Sequence, residues 1–201
     1  MALNAGKHNR RSIRLKGYDY SNPGKYSITI CTHSRQCLFG NVADREMALN
    51  DAGKMVDTWW NKITEKFPNA LLDVYQIMPN HFHAIVGITD PNTVGADPRV
   101  CPYGIDSQNQ GGHADPPQHG MDYEQRPASI PGIVQWFKTM TTNKYIRGVR
   151  EGQFLPFDRK LWQRNYYEHI IRNEKSLQRI RNYIINNPGQ WEQDRNHPDN
   201  F

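Results

Sequence analysis

Apolar and polar positions change their rhythm several times along the chain, and each rhythm predicts an element. From 26 to 32, in YSITICT, side chains alternate and β-branched residues dominate, the pattern of a strand. Between 43 and 66, Met47, Met55, Val56, Trp59, Trp60 and Ile63 recur at helical spacings, and Pro68 lies beyond. That predicts one long amphipathic helix. Residues 71–78 and 82–88 are β-rich runs separated by Pro79-Asn80, which predicts an antiparallel pair joined by a tight turn. Ile133, Val134, Trp136, Phe137, Met140 and Tyr145 predict a second helix over 130–149, with Lys138, Lys144 and Arg147 toward its exposed side. An aromatic-rich strand is expected over 161–171. A third helix follows from about 174 to 187, carrying Leu177, Ile180, Ile184 and Ile185 and ended by Pro188 and Gly189. The order β-α-β-β-α-β plus a terminal helix predicts an α+β fold of the ferredoxin-like arrangement, an antiparallel sheet with two helices on one face.

Two stretches stand outside this pattern. Residues 1–24 hold Lys7, Arg10, Arg11, Arg14 and Lys16 and close on Ser21-Asn22-Pro23-Gly24, a flexible basic arm ended by a turn. From 89 to 127 the chain shifts to Pro, Gly, Asp, Gln and His with almost no aliphatic residues, so a disordered insertion is expected over 90–127. At 201 residues with 37% hydrophobic and 11% aromatic positions, the rest fits a single catalytic domain with a modest core.

Charge adds a bias without deciding the function. Net charge is +5 and the isoelectric point about 9.1, which favours polyanionic partners. Cys31, Cys37 and Cys101 have no CxxC spacing and read as reduced thiols. No apolar run approaches the ~20 residues that span a bilayer, and no apolar segment follows the basic N-terminus. A soluble cytoplasmic protein without a membrane partner is expected.

Two constellations carry chemistry. In MPNHFHAIV, His81 and His83 flank Phe82 at the start of a strand, so the imidazoles share a face about 6–7 Å apart while Phe82, Ala84 and Val86 point to the core. Both rings are expected on the sheet surface not buried by helices, where they converge on one cation. In YIINNP, Tyr183 and Asn187 stand at i and i+4 on one helix face, a nucleophilic phenol beside an amide oxygen that serves as third metal ligand. Each constellation alone also fits a blander role: an unliganded edge histidine pair, a packed aromatic, a helix cap before proline.

Taken together, MPNHFHAIV, LWQRNYYEHIIRNE and RNYIINNP resemble the REP-associated tyrosine transposases, a branch of the single-tyrosine transposases with the His-hydrophobe-His motif. The resemblance spans about residues 10–90 and 128–191, with the motifs in family order. It implies Tyr183 as nucleophile, and His81, His83 and Asn187 as ligands of a divalent ion, Mg2+ or Mn2+. Related insertion-sequence transposases carry glutamine where this chain has Asn187, so Gln190 and water are alternatives for the third ligand. The implied activity is cleavage and rejoining of single-stranded DNA near palindromic hairpins through a 5′-phosphotyrosine, by a monomer or a homodimer. Lys138, Lys144, Arg147, Arg164, Arg172 and Arg179 are candidates for a backbone track, with Trp162 or Tyr166 for base stacking. Two other functions stay open: a non-catalytic, domesticated hairpin-binding regulator, and a metal-dependent hydrolase in which Tyr183 is structural.

Overall fold

The computed structural model describes residues 15, 17–90 and 128–200. The central sheet has four antiparallel strands in the order β4-β5-β1-β6, where β1 is Gly24–Cys31, β4 is Ala70–Met78, β5 is His81–Ile88 and β6 is Tyr167–Ile171. Helices α1 (Asp51–Asn61) and α2 (Ile63–Lys66) link β1 to β4, and α3 (Ile130–Arg150) links β5 to β6. This order and connectivity are ferredoxin-like, as the hydrophobic pattern predicts. A final helix, α4 (Glu174–Ile185), lies across the opposite face of the sheet.

The two faces differ in what they bury. On one, Ile28, Ile30, Phe82, Ala84 and Val86 meet α1 and α3 in the main core. Trp60 is its centre, fully buried and 4.6 Å from the Phe82 ring and 5.3 Å from that of Phe137. On the other, Ile85 and Ile171 pack against Leu177 and Ile184 of α4 in a smaller cluster. The strand with both histidines is therefore central in the sheet and covered on both faces, and every residue of β5 is buried.

Three expected elements are shorter than their sequence pattern. The first predicted helix begins not at 43 but at Asp51. Residues 40–49 form a hairpin instead, β2 (Gly40–Ala43) with β3 (Glu46–Leu49), closed by Asp44-Arg45 with both φ angles positive. A two-residue turn of that kind twists with the strands it joins. Met47 and Leu49 alternate inward at a period of two, and the helix starts where Asn50 caps it, its side chain accepting from Gly53 N at 2.9 Å. The strand expected over 161–171 is interrupted: Trp162 keeps a single bridge to Thr32, Lys138 Nζ takes the carbonyls of Gln163, Arg164 and Asn165, and regular pairing begins at β6. Lys138 is thus turned to structural use and not to the exposed side. The third helix ends at Ile185, and a 3-10 turn, Pro188–Gln193, carries the chain back over the histidines.

The basic arm as far as Arg14, with Lys16, and the insertion expected over 90–127 lie outside the described residues apart from Asp90. Cys31 and Cys37 are both free thiols. Among the described residues no helix is long and apolar enough to cross a membrane.

Candidate functional site

His81 and His83 do share a face, opposite Phe82 and Ala84, with ring centroids 4.6 Å apart. The face is not open. α4 and the returning C-terminal segment cover it, so His81 is fully buried and His83 is 2% exposed. The face expected to be free of helices is thus covered: the apolar stripe of α4 caps the sheet and encloses the imidazoles.

Each ring is held by its Nδ1. That of His81 is 2.9 Å from Asn80 Oδ1, an atom that can only accept, so the proton sits on Nδ1 and the Nε2 lone pair is free. The Asn80 amide is itself fixed, its Nδ2 donating to the carbonyls of Arg35 at 3.1 Å and Asn196 at 2.7 Å. His83 Nδ1 is 2.8 Å from Thr29 Oγ1 on the neighbouring strand, in the register that pairs Thr29 with His83. Burial depresses both imidazoles, His81 to about 3 with Asn187 opposing, and His83 well below its usual value with His81 adding to the effect. Both are neutral at physiological pH, the form that ligates metals.

Asn187 follows α4 and is 1% exposed. Its Nδ2 donates to Asp194 Oδ2 at 2.9 Å, while Asp194 Oδ1 accepts from Asn196 N at 2.6 Å. Three buried side-chain atoms here, His81 Nε2, His83 Nε2 and Asn187 Oδ1, have no hydrogen-bond partner. An unsatisfied buried polar atom costs about 1–3 kcal/mol, so three held close together form a set of lone pairs prepared for a ligand. Ligand atoms of His81, His83 and Asp194 all lie within 4.8 Å of one another, so this buried group can hold a metal ion.

Tyr183 stands on α4 at the rim, 43% exposed, its ring centroid 5.4 Å from that of His83. Its phenol is pushed up by burial and then by the negative charge of Asp194, with Arg195 and Asn187 opposing. The four residues that the sequence singled out are thus together, and Gln190 is exposed, reaching Asn187 only through its backbone N–H.

Asp194, Asn80 and Thr29 are the parts that sequence reasoning missed. Asp194 sits in an irregular tail with no periodicity to place it, and Thr29 becomes a partner only through the cross-strand register. Asn80 was legible in part, as the turn residue directly before His81. Of the expected nucleic-acid contacts, Trp162 and Tyr166 are buried, and Trp162 Nε1 donates to Thr141 Oγ1. Lys144 and Arg147 are exposed on α3, across the sheet from the histidines. Arg164, Arg172 and Arg179 are exposed.

No family model matches the chain. Among solved structures, a REP-associated tyrosine transposase bound to a REP hairpin is 16% identical, covering 88% of this chain and 73% of that one, at a TM-score of 0.48. A provisionally assigned transposase from Deinococcus radiodurans is 17% identical, covering 86% and 95%, at a TM-score of 0.41. An uncharacterized protein of Haemophilus influenzae is 41% identical over 192 residues, which is 96% of this chain and 95% of that protein. At that identity over nearly the full length of both, the chain belongs to one family with the Haemophilus protein.

Proposed function

We propose that the chain is a metal-dependent, single-tyrosine DNA strand-transfer enzyme that cuts single-stranded DNA beside a hairpin and holds the cut end as a phosphotyrosine. The observation that carries this reading is the group of buried, unpartnered lone pairs on His81, His83 and Asn187, set beside a half-exposed tyrosine. Hydrolysis by water needs no phenol at that rim, and a binding module needs no enclosed ligand set.

His81, His83 and Asp194 would hold a divalent ion, with Asn187 Oδ1 beside them; such an ion, when bound, supplies positive charge to a phosphate oxygen and to the leaving oxygen. Two imidazoles suit Mn2+ better than Mg2+, whose preference is for oxygen ligands. Asn187 Nδ2 holds the Asp194 carboxylate in place. Tyr183 attacks: its oxygen forms the bond to phosphorus, the 3′ oxygen leaves, and the phenolic proton passes to solvent, giving a 5′-phosphotyrosine and a free 3′-hydroxyl. Because the phosphodiester energy is kept in the tyrosine ester, a second 3′-hydroxyl reverses the step and joins strands. The preference for a palindromic hairpin comes from the motif resemblance.

The test is covalent capture. Protein incubated with labelled hairpin DNA and Mn2+ should give a denaturant-resistant adduct. Tyr183→Phe should abolish it while leaving DNA affinity within about twofold, since only the attacking oxygen is removed. His81→Ala and His83→Ala should each abolish it too, whereas Asn187→Ala should be partly rescued by raised Mn2+, since water can replace an amide oxygen. Cleavage without an adduct would assign a hydrolase. Binding without cleavage would assign a non-catalytic hairpin-binding regulator.

A further inference from the structure

The track of cations and aromatics expected from the sequence is split by the fold, and only one part of it reaches Tyr183. α4 has a dividing line along its length. On the β4 side, Arg181 is paired with Asp73, and Glu174 turns toward Arg181 and Gln178. On the β6 side, Lys175, Arg179 and Tyr183 recur at i, i+4 and i+8, which places them in one row about 6 Å apart. All three are exposed, and among the described residues no acid lies within ion-pair distance of Lys175, Arg179 or Arg172.

The strand beside that row faces it. Ile171 is buried against α4, so by alternation Tyr167 and His169 lie on the same sheet face. His169, Arg172, Lys175 and Arg179 line one open cleft where β6 turns into α4. Tyr167 is 47% exposed, and the Arg195 guanidinium stands 5.2 Å from its ring. Arg195 directly follows Asp194 of the ligand group. A groove that is cationic at the β6–α4 junction therefore lies on the side of α4 that carries Tyr183, with the exposed Tyr167 ring on the same sheet face.

We infer that this groove between α4 and β6 binds a single-stranded polynucleotide, with Arg172, Lys175 and Arg179 on its phosphates and Tyr167, backed by Arg195, under a base. Cations tracking a backbone beside an aromatic platform are the parts from which sequence-tolerant single-strand binding is built. The row of side chains along α4 ends on Tyr183, so a strand lying in the groove delivers a phosphate to the phenol. The inference rests on the strand-transfer reading for the meaning of that delivery, and the binding itself is tested apart from it.

The experiment measures affinity by fluorescence anisotropy for a fluorescein-labelled single-stranded oligonucleotide of about 20 nucleotides, in EDTA and in the Tyr183→Phe background, so no cleavage intervenes. Combined Arg172→Ala, Lys175→Ala and Arg179→Ala should weaken binding on the order of tenfold or more. It should also flatten the dependence of log affinity on log salt by about 0.7 for each phosphate that is no longer neutralised. Tyr167→Ala should weaken binding roughly fivefold or more with the salt slope unchanged, since stacking releases no counterions, and Tyr167→Phe should restore it. As a charge-matched control, Lys54→Ala, Lys62→Ala and Lys144→Ala empty a cleft on the α1 and α3 side and should leave affinity near that of the parent. Parent-like affinity in the groove variants, equal losses in both triple variants, or no binding by the parent would each overturn the groove. A parent that binds through the groove yet gives no adduct with Mn2+ would leave the groove standing and remove the strand-transfer reading.

Discussion

Asn80 Oδ1 accepts the Nδ1 proton of His81 at 2.9 Å, and both hydrogens of the same amide are used on backbone carbonyls, those of Arg35 and Asn196. One buried side chain thereby sets the tautomer of His81, a member of the buried group that can hold a metal ion, and fastens the C-terminal segment that brings Asp194 beside it. Asn80→Ala should lower Mn2+ affinity by about 10–100-fold, the usual scale for losing a partner behind a histidine ligand. Isothermal titration on protein whose circular dichroism matches the parent is the measurement. Unchanged affinity would mean that His81 keeps its orientation without Asn80.

Stability of the metal-free protein should fall on mild acidification. His81 and His83 are held below their ordinary values chiefly by burial, His81 at about 3, so between that range and about 6.5 the unfolded chain binds protons that the folded chain refuses. Folding free energy is then complete above about pH 6.5 and is lost as pH drops below it, on the order of 1.4 kcal/mol per pH unit for each histidine. Urea unfolding in EDTA at pH 7.5 and pH 5.5 reads this directly. His81→Ala and His83→Ala should each flatten the slope, and a parent slope indistinguishable from theirs would show that the rings are hydrated.

The strands of the sheet and the helices packed on it were legible because their apolar residues follow a period of two or of 3.6, which states the buried face outright. The hairpin at 40–49 was not. Met47 falls at a helical interval from Met55, and only the positive φ of Asp44 and Arg45 reveals a turn there. For the site, side chains two apart on a strand or four apart on a helix are neighbours by geometry alone, so the histidine pair and the Tyr183–Asn187 pair could be read from spacing. Asp194 could not, since it reaches the histidines through a non-periodic 3-10 return, and neither could the enclosure of the rings, which follows from how α4 docks.

A buried asparagine also governs how the segment between Asp90 and Ala128 can be shortened. Asn69 meets both of its ends, its carbonyl accepting from Thr89 N at 2.9 Å and its Oδ1 from Ala128 N at 3.0 Å. Those ends are therefore held side by side, and a short Gly/Ser linker replacing residues 92–125 has little distance to cross. The variant should express as soluble protein, keep a melting temperature close to that of the parent and retain adduct formation, since loop closure cost changes only slowly with length. Insoluble protein, or adduct lost with the fold intact, would show that the segment supplies an ordered or DNA-contacting part.

How α4 docks decides whether one chain completes its own site. Arg181, two residues before Tyr183, makes a bidentate contact with Asp73 on β4, through Nε to Oδ1 at 3.0 Å and Nη2 to Oδ2. Burial opposes ionisation of the Asp73 carboxyl, yet the Arg181 hydrogen bonds win and hold it below the usual carboxylate range. With Leu177 and Ile184 packed on Ile85 of the same sheet, the helix is fixed to its own histidine strand. Under the strand-transfer reading, the tyrosine and the metal-holding group then belong to one polypeptide. Mixing Tyr183→Phe with His83→Ala, each inactive alone, should give no adduct beyond background, even after the two are unfolded and refolded together. Recovery toward a quarter of parental yield would mean that helices exchange between chains. Asp73→Ala in the otherwise unaltered chain gives the converse check: it should lower unfolding free energy by about 1–2 kcal/mol, the lower part of the range for a partly exposed charge-assisted pair. The adduct yield should fall with it, since Tyr183 then sits on a helix held only by its apolar stripe.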